Sequence, residues 1–271
     1  MPELPEVEAL RRALEPEITG REILRVSLRQ ADVIAWPTPV EFAQRSAGTR
    51  IDGLERRGKY LGFDLAGGSC LWLHLRMTGK LSLVPPQHPL PDHTHVIFSL
   101  DDGRQLRFYD TRRFGRLWYL MPGEEEHAPA LAALGDEPFS LDGGRILTLL
   151  GNRHRPIKSA QLDQHLIAGL GNIYADEILF RAGISPLRQA STLTAAEADR
   201  IAQVMGPVLE EAIRRGVNCS RELFGKPLPS RQPEGWRVYG RGGQPCSVCG
   251  TPLVKVRIAG RTSVFCPQCQ S

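Results

Sequence analysis

The chain has 271 residues, 41% of them apolar, with 34 basic and 30 acidic side chains for a net charge of +4. That length supports a sizeable core and more than one domain, and no apolar run comes near the roughly 20 residues a membrane span needs. With no signal-peptide pattern either, the expected setting is cytoplasmic.

The first seven residues, Met1-Pro2-Glu3-Leu4-Pro5-Glu6-Val7, pack two prolines and two carboxylates into a region that is usually frayed. One reading is a helix start. Pro5 opens it, Glu3 and Glu6 favour its positive end, and Val7, Leu10 and Leu14 sit at helical spacing. The other reading is chemical. If Met1 is trimmed, Pro2 carries a free secondary amine, and a terminal amine has a reference pKa of ~7.7–8.0 against ~10.4 for lysine. Near pH 7.5 about a quarter of such amines are neutral and able to attack carbon. The carboxyl of Glu3 is near enough to move the protons that such an attack requires.

Pro16 and Gly20 break the helical pattern, and strand patterns follow. Leu24-Val26-Leu28, Leu61-Phe63-Leu65 and Leu71-Leu73-Leu75-Met77 alternate with period two. The runs at 95–98, 106–109 and 117–120 continue the series, with turns such as Asp102-Gly103 between strands. An antiparallel β-sandwich or barrel is predicted, with the first helix laid against it. From 122 to 144 the acidic run Glu124-Glu125-Glu126 and scattered Pro and Gly read as a linker. Helical patterns follow. Thr194-Ala195-Ala196-Glu197 is a capping box ahead of one apolar stripe, Ile201, Val204, Met205, Val208, Leu209, Ala212 and Ile213. Pro207 predicts a kink in that helix and Gly216 its end.

A Gly/Pro-rich segment from Gly225 to Gly235 leads into a last module with the cysteine spacing C-x2-C-x16-C-x2-C. Cys246, Cys249, Cys266 and Cys269 predict a tetrahedral four-cysteine site for one structural Zn2+. Disulfides are not expected without an export signal, and Cys70 and Cys219 read as ordinary buried or loop thiols. Between Gly235 and Ser271 there are five basic residues (Arg237, Arg241, Lys255, Arg257, Arg261) and no acidic one, so the remainder nets −1. Local basic clusters in a nearly neutral body fit a defined polyanion-binding face. The expected division is 1–133, 134–234 and 235–271.

Four internal motifs carry chemistry. Arg56-Arg57-Gly58-Lys59-Tyr60 places Lys59 at a strand start, and Asp110-Thr111-Arg112-Arg113-Phe114-Gly115 puts two arginines beside an aromatic at a turn. Gly169-Leu170-Gly171-Asn172-Ile173-Tyr174 is a tight turn into a helix, with Asn172 as N-cap and Asp176-Glu177 in the first turn. Such a turn aims N–H groups at an anion, and Arg153, Arg155 and Lys158 supply cations upstream. Arg261 lies in the loop of the cysteine module. Each motif alone also has a purely structural explanation: a solvated strand end, a surface turn, a helix reversal, a structural zinc knot.

Together, in this order, the motifs resemble the formamidopyrimidine-DNA glycosylases of the Fpg/Nei family, end to end. The resemblance rests on Pro-Glu-Leu-Pro-Glu-Val at 2–7, Arg-Arg-Gly-Lys-Tyr at 56–60 and His-Leu-Arg-Met-Thr-Gly at 74–79. It continues with Asp-Thr-Arg-Arg-Phe-Gly at 110–115, Gly-Leu-Gly-Asn-Ile-Tyr-Ala at 169–175, and Val-Tyr-Gly-Arg at 238–241 before the cysteines. It implies an α+β multidomain fold: an N-terminal antiparallel β-sandwich with its helix, a helical helix–two-turns–helix domain, and a C-terminal zinc-ribbon hairpin.

The implied activity is that of a bifunctional DNA glycosylase and abasic-site lyase acting on 8-oxoguanine and formamidopyrimidines in duplex DNA. By resemblance Pro2 is the nucleophile that forms a Schiff base, Glu3 moves protons at the sugar, and Lys59 serves β-elimination. Arg261 is the family's δ-elimination residue, although an arginine hardly gives up a proton, and a phosphate clamp suits it better. Met77, Arg112 and Phe114 match the groups that fill the gap left by the extruded nucleotide. His74, His93, Arg153, Lys158 and Asn172 match DNA contacts.

The expected partner is damaged double-stranded DNA, bound by a monomer that is nucleoid-associated when engaged. One stretch departs from the pattern: Gly216-Val217-Asn218-Cys219-Ser220-Arg221-Glu222 replaces the family's Gly-Gly-Thr-Thr or Gly-Gly-Thr-Ser loop over the extruded base. Oxidised pyrimidines, the substrates of the endonuclease VIII branch, are therefore the alternative substrate. A non-catalytic zinc-dependent DNA-binding protein is the alternative from another class, and it would need neither Pro2 nor Glu3.

Overall fold

The computed structural model describes residues 2–218, 223–225 and 235–271. Met1, the segment 219–222 with Cys219, and the segment 226–234 lie outside the described residues. The chain divides into two compact units, Met1–Ala133 with Ile213–Pro229, and Leu134–Ala212 with Ser230–Ser271.

The first unit opens with α1 (Leu4–Ile18), capped at Glu3 by a reciprocal box with Glu6. The helix continues through Pro16, past the expected break. A proline in the last turn withholds a single N–H, and Thr19 closes the end with its N–H on the Glu15 carbonyl at 3.0 Å. Glu8 turns inward, where Arg11, Arg12 and Arg56 meet its carboxylate at 2.9, 2.8 and 3.1 Å. Burial pushes the Glu8 carboxyl up, but the three guanidinium groups outweigh it and hold it below the usual carboxylate range. This ion cluster ties α1 to the strand that leads to Lys59.

Nine strands follow: β1 (Glu22–Leu28), β2 (Ile34–Trp36), β3 (Thr49–Arg57), β4 (Tyr60–Leu65), β5 (Cys70–His74), β6 (Lys80–Val84), β7 (Thr94–Leu100), β8 (Gln105–Tyr109) and β9 (Arg116–Leu120). They form one sheet in the order β2-β9-β5-β4-β3-β1-β7-β8-β6, antiparallel except for β2–β9. The β1–β3 ladder holds only two residue pairs, and there the sheet folds onto itself. Ile23, Phe98, Leu106 and Phe108 from one half meet Ile51, Leu61, Phe63 and Leu73 from the other in a single core. The sandwich expectation holds in that sense.

Three strands were not foreseen, the short β2 (Ile34–Trp36) among them. In β3 a register shift between Ile51 and Gly53 breaks the alternation, whereas β6 carries a plain Leu81/Leu83 signal. The run expected to reach Met77 stops at His74, because Arg76 takes φ 53°. A second helix, α2 (Pro39–Ser46), starts from a Thr38/Glu41 capping box. The stretch read as a linker is packed in its first half. His127 stacks on Trp36 at 3.4 Å, and Glu124 accepts from Trp36 Nε1, Arg45 Nη1 and the Met121 N–H.

The second unit holds α4 (Gly143–Leu150), α5 (Ile157–Gln161), α6 (Asn172–Ala182) and most of α7 (Ala195–Asn218), with the short α3 (Pro129–Ala132) preceding them in the chain. Ile146, Ile157, Leu170, Ile178, Ile201, Met205 and Leu209 share its core. The Thr194/Glu197 box is present, with the Thr194 N–H 2.9 Å from Glu197 Oε2. Gly216 does not end α7, which runs to Asn218. Its absent side chain serves packing instead, since a Cβ there would lie 2.7 Å from the Ala9 Cβ of α1. Strands β10 (Val254–Ile258) and β11 (Arg261–Phe265) form the expected hairpin. Among the described residues no helix is long and apolar enough to cross a membrane.

Candidate active site and nucleic-acid interface

In the first unit Pro2 is half-buried, and Glu3, the residue that caps α1, is 3% exposed. The Glu3 N–H donates to Glu6 Oε2 at 2.8 Å, so the helix start fixes the backbone on which Pro2 stands. The helix-start reading of this terminus therefore holds. Lys59 sits in the two-residue turn between β3 and β4, after Gly58 at φ 56°, and is buried. A hairpin loop of that length needs a positive φ at its first residue, and glycine supplies it without steric cost.

His74, at the end of β5 opposite Tyr60, is 7% exposed, and its Nδ1 accepts the Arg76 N–H at 2.9 Å. The ring hydrogen is thereby assigned to Nε2. Burial, then the charges of Arg76 and Lys59, push its pKa down to about 3. Unfolded, the ring titrates near ~6.5. Between about 3 and ~6.5 the unfolded chain binds a proton that the native state refuses, so stability falls as pH falls through this window. His74→Asn is expected to flatten the acid limb of a denaturation-versus-pH curve by up to ~1.4 kcal/mol per pH unit. An unchanged slope would show that the ring protonates in the folded protein.

The turn from Asp110 to Gly115 is organised by a carboxylate. Asp110 is fully buried. Its Oδ1 accepts the Thr78 hydroxyl and the Arg112 N–H, and its Oδ2 accepts the Gly115 N–H at 2.8 Å. Burial pushes this carboxyl up, yet the donors from Thr78, Gly115, Arg112 and Phe114 prevail and hold it below the ordinary range. The clasp joins the Thr78 and 110–115 loops and leaves the side chains at the tip outside. Arg112 lies over the Phe114 ring at 4.6 Å, and Phe114 and Met77 are 47% and 44% exposed. Exposed apolar groups of this size, braced by a buried carboxylate, are suited to contact with stacked bases. Glu3, Lys59, His74, Met77, Arg112 and Phe114 all belong to this unit, as does the exposed His93.

In the second unit three expectations need correction. Lys158, expected to hold phosphate, has no exposed surface. Its Nζ lies 2.8 Å from Asp176 Oδ1 and 3.1 Å from the Thr262 carbonyl. Asn172 is not the N-cap of α6; Gly171 is, and Asn172 Nδ2 donates to the same Thr262 carbonyl at 3.0 Å. Asp176 and Glu177, expected in the first turn, lie beyond it and are buried anchors. Asp176 accepts Ser263 Oγ at 2.6 Å and the Val264 N–H at 3.2 Å, and Glu177 takes three consecutive N–H groups, from Arg237, Val238 and Tyr239, each at 2.9 Å. One face of α6 thus holds both the approach to the cysteine module and its hairpin. Arg153 is exposed, while Arg155 is spent on Asp163 at 2.6 Å.

Arg261 follows the turn Ala259-Gly260, both at positive φ, and is exposed at the head of β11. The Sγ atoms of Cys246, Cys249, Cys266 and Cys269 all lie within 4.8 Å of one another. A tetrahedron with zinc–sulfur bonds of ~2.3 Å has sulfur–sulfur edges of roughly 3.8 Å, and the Cys246–Cys269 and Cys249–Cys266 separations are 4.0 and 3.4 Å. The four cysteines therefore fit one closed zinc site. Cys70 is half-buried on β5, and burial pushes its thiol far up, which makes it a poor nucleophile. Sequence reasoning missed Asp110, Asp176 and Glu177. Each lay inside a motif already singled out, but a lone carboxylate carries no sign of what it will accept.

Comparisons with known proteins bear on both units. Residues 1–117 match the profile of the formamidopyrimidine-DNA glycosylase N-terminal domain, 134–222 that of the formamidopyrimidine-DNA glycosylase H2TH domain, and 243–271 the zinc finger found in FPG and IleRS. A Moorella thermoacetica protein named formamidopyrimidine-DNA glycosylase is 48% identical over 95% of each chain. One of the same name from Symbiobacterium thermophilum is 47% identical over 100% of this chain and 89% of its own. Among solved structures, a mutant of the Lactococcus lactis FPG in complex with Fapy-dG-containing DNA aligns with a TM-score of 0.90 at 32% identity, covering all of both chains. The wild-type Lactococcus protein, solved with DNA containing an oxidised pyrimidine, aligns at 0.89 and 32% over all of both chains.

Proposed function

The chain belongs to the formamidopyrimidine-DNA glycosylases, enzymes of base-excision repair, and from that premise we propose that it removes oxidised purines by Schiff-base chemistry on Pro2. The observation that carries the reading is the half-buried Pro2 beside the nearly inaccessible Glu3. The Pro2 amine attacks C1′ of the damaged nucleotide, and the glycosidic bond breaks with its electrons leaving on the base. Glu3 protonates the ring oxygen as the sugar opens, and an iminium links protein and DNA. Loss of a C2′ proton then expels the 3′ phosphate, and a second elimination expels the 5′ phosphate.

Lys59, buried in its turn, is the proton donor and acceptor of the elimination steps, and Arg261 clamps the lesion's phosphate. Met77, Arg112 and Phe114 occupy the gap in the duplex. His74 and His93, Arg153 and one remaining hydrogen of the Asn172 amide contact the backbone, whereas Lys158 acts only through the hairpin it holds. The zinc is structural, because four thiolates leave no position for substrate. The protein works in the cytoplasm as a monomer on damaged duplex. An oxidised pyrimidine is the second substrate reading, favoured by the Lactococcus complex that contains one.

Borohydride reduction in the presence of 8-oxoguanine duplex tests the chemistry. A covalent protein–DNA adduct is expected with the parent, and its absence while DNA binding persists would leave only a binding protein. Intact mass decides whether Met1 is removed, since a retained Met1 makes the Pro2 nitrogen an amide. Phe114→Ala is expected to slow excision from paired duplex far more than cleavage at a preformed abasic site, where stacking is already lost. Equal loss on both substrates would assign the ring to the fold.

A further inference from the structure

We propose that a basic cleft on the β-rich unit seats one backbone phosphodiester of the DNA, with Arg29 and Arg113 holding the anion beside His93. The proposal rests on the glycosylase reading. The cleft measures about 370 Å3 and is lined by Arg29, Gln30, the run His93-Thr94-His95, Thr111 and Arg113. Ligand clefts run from roughly 300 to 1,000 Å3, so it takes a small charged group and little more. Two arginines and two histidines line it, no carboxylate does, and Gln30, Thr94 and Thr111 add neutral hydrogen-bonding groups. The Asp32 carboxylate stands 3.8 Å from Arg113 Nη1, with both side chains more than half exposed. A pair so open to solvent is weak, and a phosphodiester can displace it.

The walls are built before any ligand arrives. The Arg29 N–H donates to the His95 carbonyl at 2.8 Å, the Asp110 N–H to the His93 carbonyl at 3.0 Å, and the Arg113 N–H to the Asp110 carbonyl at 3.2 Å. His95 Nε2 also meets the Asp110 carbonyl at 2.7 Å. The three segments that bear the cations are thus stitched to one another through main-chain carbonyls. His93 and Arg113 are both held at positive φ, 62° and 54°, a conformation uncommon for such residues.

The link to DNA comes from the loop itself. Thr111 and Arg113 line the cleft, while the alternate residues Arg112 and Phe114 stack on each other at the tip. Any duplex that receives this tip brings a sugar-phosphate backbone to the same loop. A phosphodiester is the anion that must be there.

The test neutralises phosphates one at a time. Single methylphosphonates are placed in turn at each linkage around the lesion and across from it, on both strands. Binding is measured for the parent and for Arg29→Ala/Arg113→Asn, asparagine being a residue that tolerates positive φ. The parent should lose roughly tenfold in affinity at one linkage. The variant should show no further loss there, and its log affinity against log salt should be shallower by about 0.9. The strand on which that linkage falls tells whether the cleft holds the damaged or the undamaged backbone, and either result supports the proposal. Arg29→Lys/Arg113→Lys, with both charges kept, should retain the sensitivity, and a parental melting curve for each variant excludes unfolding. A variant with the parent's methylphosphonate profile and salt slope would overturn the proposal while leaving the glycosylase reading intact. A parent that neither traps nor cuts lesion DNA would sink that reading first.

Discussion

Replacing Glu3 by glutamine is expected to abolish base excision while leaving binding of lesion-containing duplex intact. The substitution separates the capping role seen in the structure from the proton-transfer role proposed for the same side chain. As the cap of α1, Glu3 needs only an oxygen that can accept an N–H, and the glutamine amide provides one. As the group that serves the sugar, it must give and take a proton, which an amide cannot do. Positioned acid–base groups contribute typically ~10²–10⁴-fold, so excision of 8-oxoguanine should fall by at least about a hundredfold with an unchanged melting temperature. Glu3→Ala, which also removes the cap, should lose the same activity and roughly 0.5–2 kcal/mol of stability besides. Excision at the parental rate in Glu3→Gln would withdraw the carboxyl from the chemistry altogether. Pro2→Gly should keep a primary amine in a looser backbone and form the borohydride adduct more slowly.

The second large effect is expected at the zinc site. Cys249→Ser, or chelation, should destroy duplex binding and excision together while most of the secondary structure remains. Zinc contributes ~10–16 kcal/mol in small finger peptides, and among the described residues the buried cluster here is small: Val238, Cys246, Leu253, Val264 and Cys266 with Phe180 of α6, and Cys269 against them. Without the metal, Ser263 and Val264 leave Asp176, and the carboxylate stays buried beside Lys158. Arg261 then has no fixed position. Arg261→Ala in zinc-loaded protein should reproduce a binding loss of roughly 1.5–3 kcal/mol, the worth of a charge-assisted hydrogen bond. Normal cleavage by zinc-free protein would show that the hairpin is dispensable and that Arg261 holds no phosphate.

How much of this was legible in the sequence depends on the kind of signal. Spacing carried the four cysteines and the Thr194 box, because metal geometry and helix caps impose fixed intervals. Alternation carried most strands, and failed at β3, where a register shift at Gly53 puts successive residues out of phase. Glycine and proline misled where tertiary contacts decide. Gly216 reads as a stop, yet its role is to let α7 approach Ala9, and Pro16 reads as a break but costs the last turn only one donor. Charge type misled at Lys158. A lysine beside arginines in a phosphate-binding motif looks solvated, and nothing local reveals that Asp176, eighteen positions later, will bury it. The Asp110 clasp was equally invisible, since its partners are backbone groups that every sequence possesses.

That clasp bears on how the tip can change over generations. Asp110 grips main-chain N–H groups and the Thr78 hydroxyl, and none of its bonds goes to the side chains of Arg112 or Phe114. The mount and the tool are therefore inherited separately. Mutation can try other aromatic, aliphatic or cationic groups at 112 and 114 while the loop keeps its shape, so the base preference proposed for these side chains is free to drift. Asp110 has less latitude, because a side chain that cannot accept these groups releases the Thr78 and 110–115 loops together.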